Sequence, residues 1–420
     1  MSARREAFAL LAGGSAADLA FRIAQVALPL VILHETGSVA ATGLVGGASG
    51  IPVLLSPWWA RKARQWVDSG PRLAVVAGVQ ALALALVPAA VELGLLTVEL
   101  LAVSGLLLGC GEALATPGRS ALLADTGDRW GEGKAVVLLT WQDGLRRIGM
   151  MVGPVVGAFA VATGFTNGLL WVEAVSVLSA GLLAVGVKAD RPPERISTPS
   201  IRASLRQRPE VLYGWIMRGT GCVTWFAFTL GLSVIGAQRG EPGVYLAAGM
   251  TGYGVGSVIG TAISLAVVRR SPPVLLVGLA WAVMGLCWAA MGLWTHPPLI
   301  ALMGALAGVS VVLGIAAISV LITRTSSGPE RRALLSGQTV VVNAGSSAGL
   351  LAGGPIIATA GAETTLVGAG LLTTAVALAV LMNAHRSRRQ AADLRDRVGH
   401  RVRMTRMMRR RSQTRRVPSG

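Results

Sequence analysis

The sequence predicts an all-α membrane protein of twelve transmembrane helices in two six-helix pseudo-repeats. Three observations carry that reading. Hydrophobic residues make up 53% of the 420-residue chain and charged residues 14%, with a mean hydropathy of +0.61. A soluble domain carries about 25% charged residues, so this chain has too few to cover a water-facing surface. Apolar stretches near the ~20 residues needed to cross a hydrocarbon core recur from Phe8 almost to Met382. Finally, Gly153-Pro154 returns as Gly354-Pro355 at an offset of 201 residues, once in each half.

Taken in order, the apolar runs between charge clusters place spans at 8–33, 39–60, 73–95, 98–122, 135–163 and 167–187. A second set lies at 211–236, 243–268, 274–295, 298–323, 333–360 and 364–383. The opening Met1-Ser2-Ala3-Arg4-Arg5 has the charge of a signal peptide, but its apolar stretch runs past Leu33, too long for an h-region. It therefore reads as a retained span. Basic residues segregate by loop parity: Arg61, Lys62, Arg64 and Arg72, then Arg129 and Lys134, Arg269 and Arg270, Arg331 and Arg332. Loops of the other parity offer little besides Arg239. The positive-inside rule puts the basic loops and both termini in the cytoplasm, which requires an even number of spans in the cell inner (plasma) membrane.

Lys188 to Glu210, rich in Pro, Ser and Arg, divides the spans six and six. The expected organisation is a first bundle at 1–187, a cytoplasmic linker at 188–210, a second bundle at 211–383 and a basic cytoplasmic tail at 384–420. The segments before the two Gly-Pro helices are alike, "LLLGCGEALATPGRSALLAD" against "ALAGVSVVLGIAAISVLITR". Parallel repeats about an axis along the membrane normal are one way transporters are built. Gly43 and Gly47, Gly46 and Gly50, and Gly252, Gly256 and Gly260 recur every four residues, on one helical face each. Small faces let backbones approach where lipid gives no hydrophobic drive.

In the fifth span, "GMMVGPVVGA" from Gly149 to Ala158 resembles the G-x-x-x-G-P-x-x-G-G signature of the major facilitator superfamily, with Ala158 in place of the last glycine. In that superfamily the signature is associated with exporters and antiporters, so the resemblance implies such a role for Gly149, Gly153, Pro154 and Gly157. Physically, the glycines open a face for close packing and Pro154 removes a backbone donor and bends the helix. The first span, "GGSAADLAFRIAQVALPLVILHETGS", and "GEALATPGRSALLAD" in the fourth resemble the drug-efflux branch that includes macrolide and enterobactin exporters. The resemblance covers about residues 8–383.

Two positions depart from that pattern. The superfamily's loop after span two reads G-x-x-x-D-R-x-x-x-R-R, where an acid and arginines latch the halves. Here the loop reads "ARKARQWVDSGPR", which puts Arg64 where the acid belongs and leaves Asp68 and Arg72 as further gating candidates. The fourth-span arginine of proton-linked exporters is also absent, with Gly105 near its place.

An ionisable group at the centre of a spanning helix costs at least about 2.5–3.5 kcal/mol, so it faces a cavity or a partner. Asp18 lies about ten residues into span one, roughly 15 Å deep and near midplane. Arg22 is four residues on and shares its face. Two readings of Asp18 stay open: a proton-responsive carboxylate or substrate contact, and a fixed internal pair with Arg22. Glu112, with Arg119 two turns away, is a second candidate for proton binding. Asp143 is followed by Arg146 and Arg147 within helical reach and reads better as a structural pair. Arg218 suits snorkelling to the cytoplasmic interface, and Glu173 is expected to be solvated near the outer end of span six.

Enzyme signatures fail. "GDRWGEGKA" lacks the spacing of a phosphate loop, and Ala135 stands where the magnesium-binding hydroxyl belongs. Neither the histidines His34, His296, His385 and His400 nor Cys110, Cys222 and Cys287 have metal or disulfide spacing, so no cofactor is implied. The net charge of +18 concentrates beyond His385, where thirteen arginines face two aspartates. On the cytoplasmic end of a membrane protein such a tail suits anionic lipid better than nucleic acid. Leu394, Val398 and Val402 could give it an apolar stripe; a solvated tail is the alternative.

With the resemblance supplying direction and coupling, the expected function is secondary active efflux of a small amphipathic or hydrophobic molecule, in antiport with protons as coupling ion. The lipid bilayer and the small-molecule substrate are the partners expected. A metabolite importer or lipid translocator of the same fold, or a non-transporting receptor or scaffold, are the alternatives.

Overall fold

The computed structural model describes residues 2–132, 134–187, 201–326 and 328–386. Within them the chain is all helical. Six long helices precede the basic stretch: α1 (Ala3–Thr36), α2 (Val39–Trp66), α3 (Gly70–Glu92), α4 (Val98–Trp130), α5 (Lys134–Ala162) and α6 (Thr166–Ala184). A short α7 (Ile201–Gln207) occupies the end of the expected linker. The seventh span runs as α8 (Pro209–Phe226), a π turn at Ala227–Gly231 and α9 (Leu232–Gln238). Then come α10 (Val244–Arg270), α11 (Pro273–Leu293), α12 (Pro297–Thr325), α13 (Gly328–Ala360) and α14 (Ala362–Arg386). Among the described residues twelve helices are long and apolar enough to cross a membrane. All twelve match the expected spans, most extending a few residues further at their ends.

Local chemistry sets the boundaries. Gly37, at φ 62°, ends α1 and donates its N–H to the Leu33 carbonyl, a left-handed stop that glycine tolerates without strain. The Ser38 hydroxyl then accepts the Ala41 N–H to cap α2, and Thr97 caps α4 through the Leu100 N–H. Helices α8, α11 and α12 start on prolines, whose missing N–H costs nothing at that position. Pro88, Pro117, Pro154 and Pro355 sit inside helices.

Small residues supply the packing, as the four-residue periodicity predicts. A Cβ on Gly252 or Gly256 would run into the carbonyls of Ala301 and Ala305, and one on Gly260 would stand 2.9 Å from the Val309 carbonyl. Thus α10 lies backbone to backbone on α12. The Gly43, Gly47 and Gly50 face meets Gly354, Leu351 and Ser347 of α13, joining a helix of the first six to one of the last six. Gly153 of the fifth-span signature packs on α1, where a Cβ would stand 2.6 Å from Arg22 Cβ; at Gly149 the nearest atom is 3.7 Å away. Large apolar side chains such as Phe8, Trp58, Phe159 and Leu93 point outward, as a lipid-facing surface requires. The three cysteines are free thiols.

Charge pairs tie the basic end of the bundle. Glu6, 1% exposed, accepts from Arg129 Nη2 at 2.6 Å and joins the start of α1 to the end of α4. Arg208 binds Glu330 through both terminal guanidinium nitrogens, one bond measuring 2.9 Å, and so holds the start of α8 to α13. The Ser204 hydroxyl, together with Arg208, keeps the Glu330 carboxyl below its ordinary range. After span two, the gating candidates Asp68 and Arg72 pair with each other at 2.9 Å across one helical turn, with Arg72 stacked 5.6 Å from the Trp66 ring. Four-residue spacing makes this local pair the shorter route for both charges. The side chain of Arg64 and the tail beyond residue 386 lie outside the described residues, as do residues 188–200 of the linker.

Candidate functional site

Several of the acids and arginines read from the spans, though not Arg218, line one polar cavity of about 570 Å³ between the first six helices and α13. Asp18 and Arg22 enter from α1, Glu112 and Arg119 from α4, and Arg146 from α5. Across the gap, Asn343, Ser346 and Ser347 of α13 present neutral polar groups. The glycine seam between α2 and α13 borders this cavity, since Gly50 and Ser347 belong to both.

Asp18 sits near the middle of α1, as its depth predicts, but its ion-pair partner is a correction. Arg119 Nη1 stands 4.0 Å from Asp18 Oδ1, whereas the guanidinium of Arg22 lies over the Phe21 ring, 5.0 Å from its centroid. The cause is Gly14, one turn before Asp18. A Cβ there would stand 3.0 Å from Arg119 Cδ, so the missing side chain leaves the slot through which Arg119 reaches α1. Arg22 is meanwhile held by its neighbour across the helix pair, its Cβ seated on Gly153. Glu112 Oε1 accepts from Thr116 Oγ1 at 2.5 Å, one turn along its own helix. Asp143 lies on α5, and its side chain and that of Arg147 fall outside the described residues.

A second, apolar cavity of about 270 Å³ adjoins the first on the side away from the basic loops. Its wall includes Phe21, Leu28 and Ile32 of α1, Val45 of α2, and Trp225, Phe226 and Leu230 around the π turn. A π turn carries one extra residue, and such turns recur at functional sites. Here it sends Trp225, Phe226, Thr229 and Leu230 toward the cavity while Phe228, 0% exposed, packs against Trp288 at 6.1 Å. Leu84, Leu108 and Glu173 line both cavities, so the two spaces are contiguous.

Glu173 overturns its sequence reading. It is 6% exposed and turned inward, not solvated at the outer surface. Its place seven residues into α6, about 10 Å from the helix start at 1.5 Å per residue, was the available signal. The α13 polar face had no comparable signal, because serine and asparagine are common in helix interfaces and only tertiary packing aims them at a cavity.

The profile of the Major Facilitator Superfamily matches residues 10–272, from the first helix through the eighth span. The chain belongs to the major facilitator superfamily. No curated protein matches its sequence. Among solved structures, a variant of the nucleoside transporter NupG aligns at a TM-score of 0.71 and 12% identity, covering 90% of this chain and 99% of that one. A POT family transporter in complex with a thioalcohol-conjugated peptide aligns at 0.69 and 12% identity, covering 91% and 96%. The human organic anion transporter MFSD10 aligns at 0.57 and 14% identity, covering 90% and 100%. At such identities the likeness is one of fold. The superfamily member described here thus has the full major facilitator architecture, with its charged cavity between the two sets of helices.

Proposed function

We propose that this protein is a secondary active exporter of a small amphipathic or hydrophobic molecule, working by alternating access in antiport with protons. The observation that supports this reading best is the paired cavity. A polar chamber holding Asp18, Glu112 and Arg119 opens directly into an apolar one of aromatic and aliphatic walls. A ligand with one polar end and one apolar end would satisfy both at once, and neither a sugar nor a plain hydrocarbon would. Membrane-embedded carboxylates beside an arginine supply groups that exchange protons with the cavity. The fifth-span signature and the resemblance of spans one and four to the drug-efflux branch give the direction.

In this reading both termini are cytoplasmic, 1–187 and 211–383 are the two moving bundles, and 188–210 is the tether between them. The polar chamber then faces the cytoplasm while the Gly43–Gly354 contact of α2 and α13 closes the far end. Protons entering from outside would be taken up by the cavity acids after the halves rock, and substrate would leave by the same opening. The basic tail at 384–420 would rest on anionic lipid, where each cation near the surface is worth about 1 kcal/mol.

The test is uptake into everted vesicles whose lumen is acidified, using a panel of cationic, anionic and neutral amphipathic dyes. At least one dye should accumulate uphill and be released on collapse of the pH gradient. No gradient-dependent accumulation of any dye, or accumulation only in right-side-out vesicles, would refute export. A reporter fused after residue 386 should be active only on the cytoplasmic side; activity outside would reverse the proposed orientation.

A further inference from the structure

The apolar cavity contains one ionisable side chain among its lining residues, Glu173. Helix α6 packs on α1 and α3, and that packing turns Glu173 to the line where the apolar and polar cavities meet. The side chain is 6% exposed. No hydrogen bond or ion pair reaches its carboxylate among the described residues. Of the other ionisable groups in the polar cavity, Arg119 stands beside Asp18, Arg22 over Phe21 and Glu112 on Thr116, while Arg146 enters from α5 and makes no ion pair with Glu173. On α3 the nearest polar lining residue is the neutral Gln80.

A buried carboxyl with no partner stays protonated unless a cation compensates its charged form. Among the described residues no cation does so. The polar cavity borders one side of it, and the other side is hydrocarbon and aromatic ring. The chemistry that fits both sides is a cation carrying a large apolar body. Its charge would meet Glu173, and its body would fill the space bounded by Phe21, Trp225, Phe226 and Leu230, where ring faces also attract cations. An anion of the same shape would bring like charge to a site whose lining holds no compensating cation on the apolar side.

We propose that Glu173 is the recognition site for the cationic group of a lipophilic organic cation. This rests on the export reading for its physiological role and deepens it by naming the substrate class. Its test does not need transport. Purified protein in detergent is dialysed to equilibrium against tetraphenylphosphonium and, separately, against tetraphenylborate, which has the same shape and the opposite charge.

The wild-type protein should bind tetraphenylphosphonium, and Glu173→Gln should weaken that binding by at least about tenfold, as loss of one partner of a desolvated charge pair does. Glu173→Asp should hold the affinity within about threefold of wild type. Tetraphenylborate binding should not fall with Glu173→Gln. A second variant keeps the carboxylate and fills its site: Val177→Lys, one turn along α6 and lining the polar cavity, gives Glu173 a resident ammonium and should also abolish cation binding. Thermal melting of each variant establishes that it is folded. The proposal is overturned if Glu173→Gln or Val177→Lys binds tetraphenylphosphonium like wild type, or if Glu173→Gln lowers binding of both ions alike. The two readings fail separately. Glu173-dependent binding with no uphill movement in vesicles would sink export and leave the site. Gradient-driven export of other dyes, with cation binding indifferent to Glu173, would do the reverse.

Discussion

Asp18→Asn should abolish uphill export, lowering the gradient-driven rate by about a hundredfold, the scale on which a positioned acid contributes to proton transfer, while ligand binding stays within a few-fold of wild type. Asparagine keeps the size and hydrogen bonding of the side chain and removes its ability to carry a proton. The position justifies the size of the effect: Asp18 is near the middle of α1, inside the polar cavity, and 4.0 Å from Arg119. Its side chain retains 35% of its surface, against 14% for Arg119, so protons can reach it through the cavity. A pair this long, with one partner wetted, is a weak structural clamp. The double replacement Asp18→Asn with Arg119→Gln separates coupling from folding. If the pair were only structural, joint neutralisation would restore what either single change loses. We expect the double variant to melt close to wild type and still fail to pump. Full proton-driven efflux by Asp18→Asn alone would move the coupling role to Glu112, whose link to Thr116 leaves it within the same cavity.

The second large effect is expected at Gly153. A Cβ there meets Arg22 Cβ at 2.6 Å and the Arg22 backbone carbon at 3.0 Å. Leucine would have to push α1 and α5 apart or displace Arg22 from the cavity wall. Overpacking of this kind costs about 1–3 kcal/mol, and in a helix pair that carries Asp18 it should also cut transport by more than tenfold, since misplacement of about 1 Å costs about a hundredfold where geometry matters. Gly149→Ala is the internal control. With its nearest neighbour at 3.7 Å, an ordinary contact distance that a methyl group fits without displacement, it should transport within about twofold of wild type. Expression-normalised vesicle transport and a melting curve for each variant decide the matter. Equal behaviour of Gly153→Leu and Gly149→Ala would reduce the fifth-span signature to ordinary packing.

That contrast also marks how far the sequence could be read. The spans were legible because a hydrocarbon solvent demands long apolar helices with every backbone group bonded, and no tertiary detail alters that demand. Glycine periodicity marked the faces of α2 and α10 but could not tell which partner each would meet. Gly149 and Gly153 read alike in sequence and differ in the fold, because only the second lies at the point of closest approach to α1.

Site residues were legible by depth and not by pairing. Asp18, Arg22 and Glu112 were found because charge inside a span is expensive. Their partners depend on contacts between helices. Arg119 reaches Asp18 from another span through the slot at Gly14, while helical spacing alone favoured Arg22. Glu173 was discounted by its closeness to a span end, although the direction in which α6 turns that side chain decides its environment. In the loop after span two, the four-residue spacing of Asp68 and Arg72 was itself the signal for the local pair that is present.

Proton movement during substrate flux tests the central claim most directly. Purified protein is reconstituted into liposomes holding a pH-sensitive dye, loaded with a probe that the vesicle assay has found to be transported, and diluted into probe-free buffer with membrane potential clamped. Antiport predicts that probe efflux acidifies the lumen, at a rate that Asp18→Asn abolishes. Probe efflux with an unchanged lumenal pH would contradict proton coupling, and lumenal alkalinisation would make the protein a symporter and overturn the account.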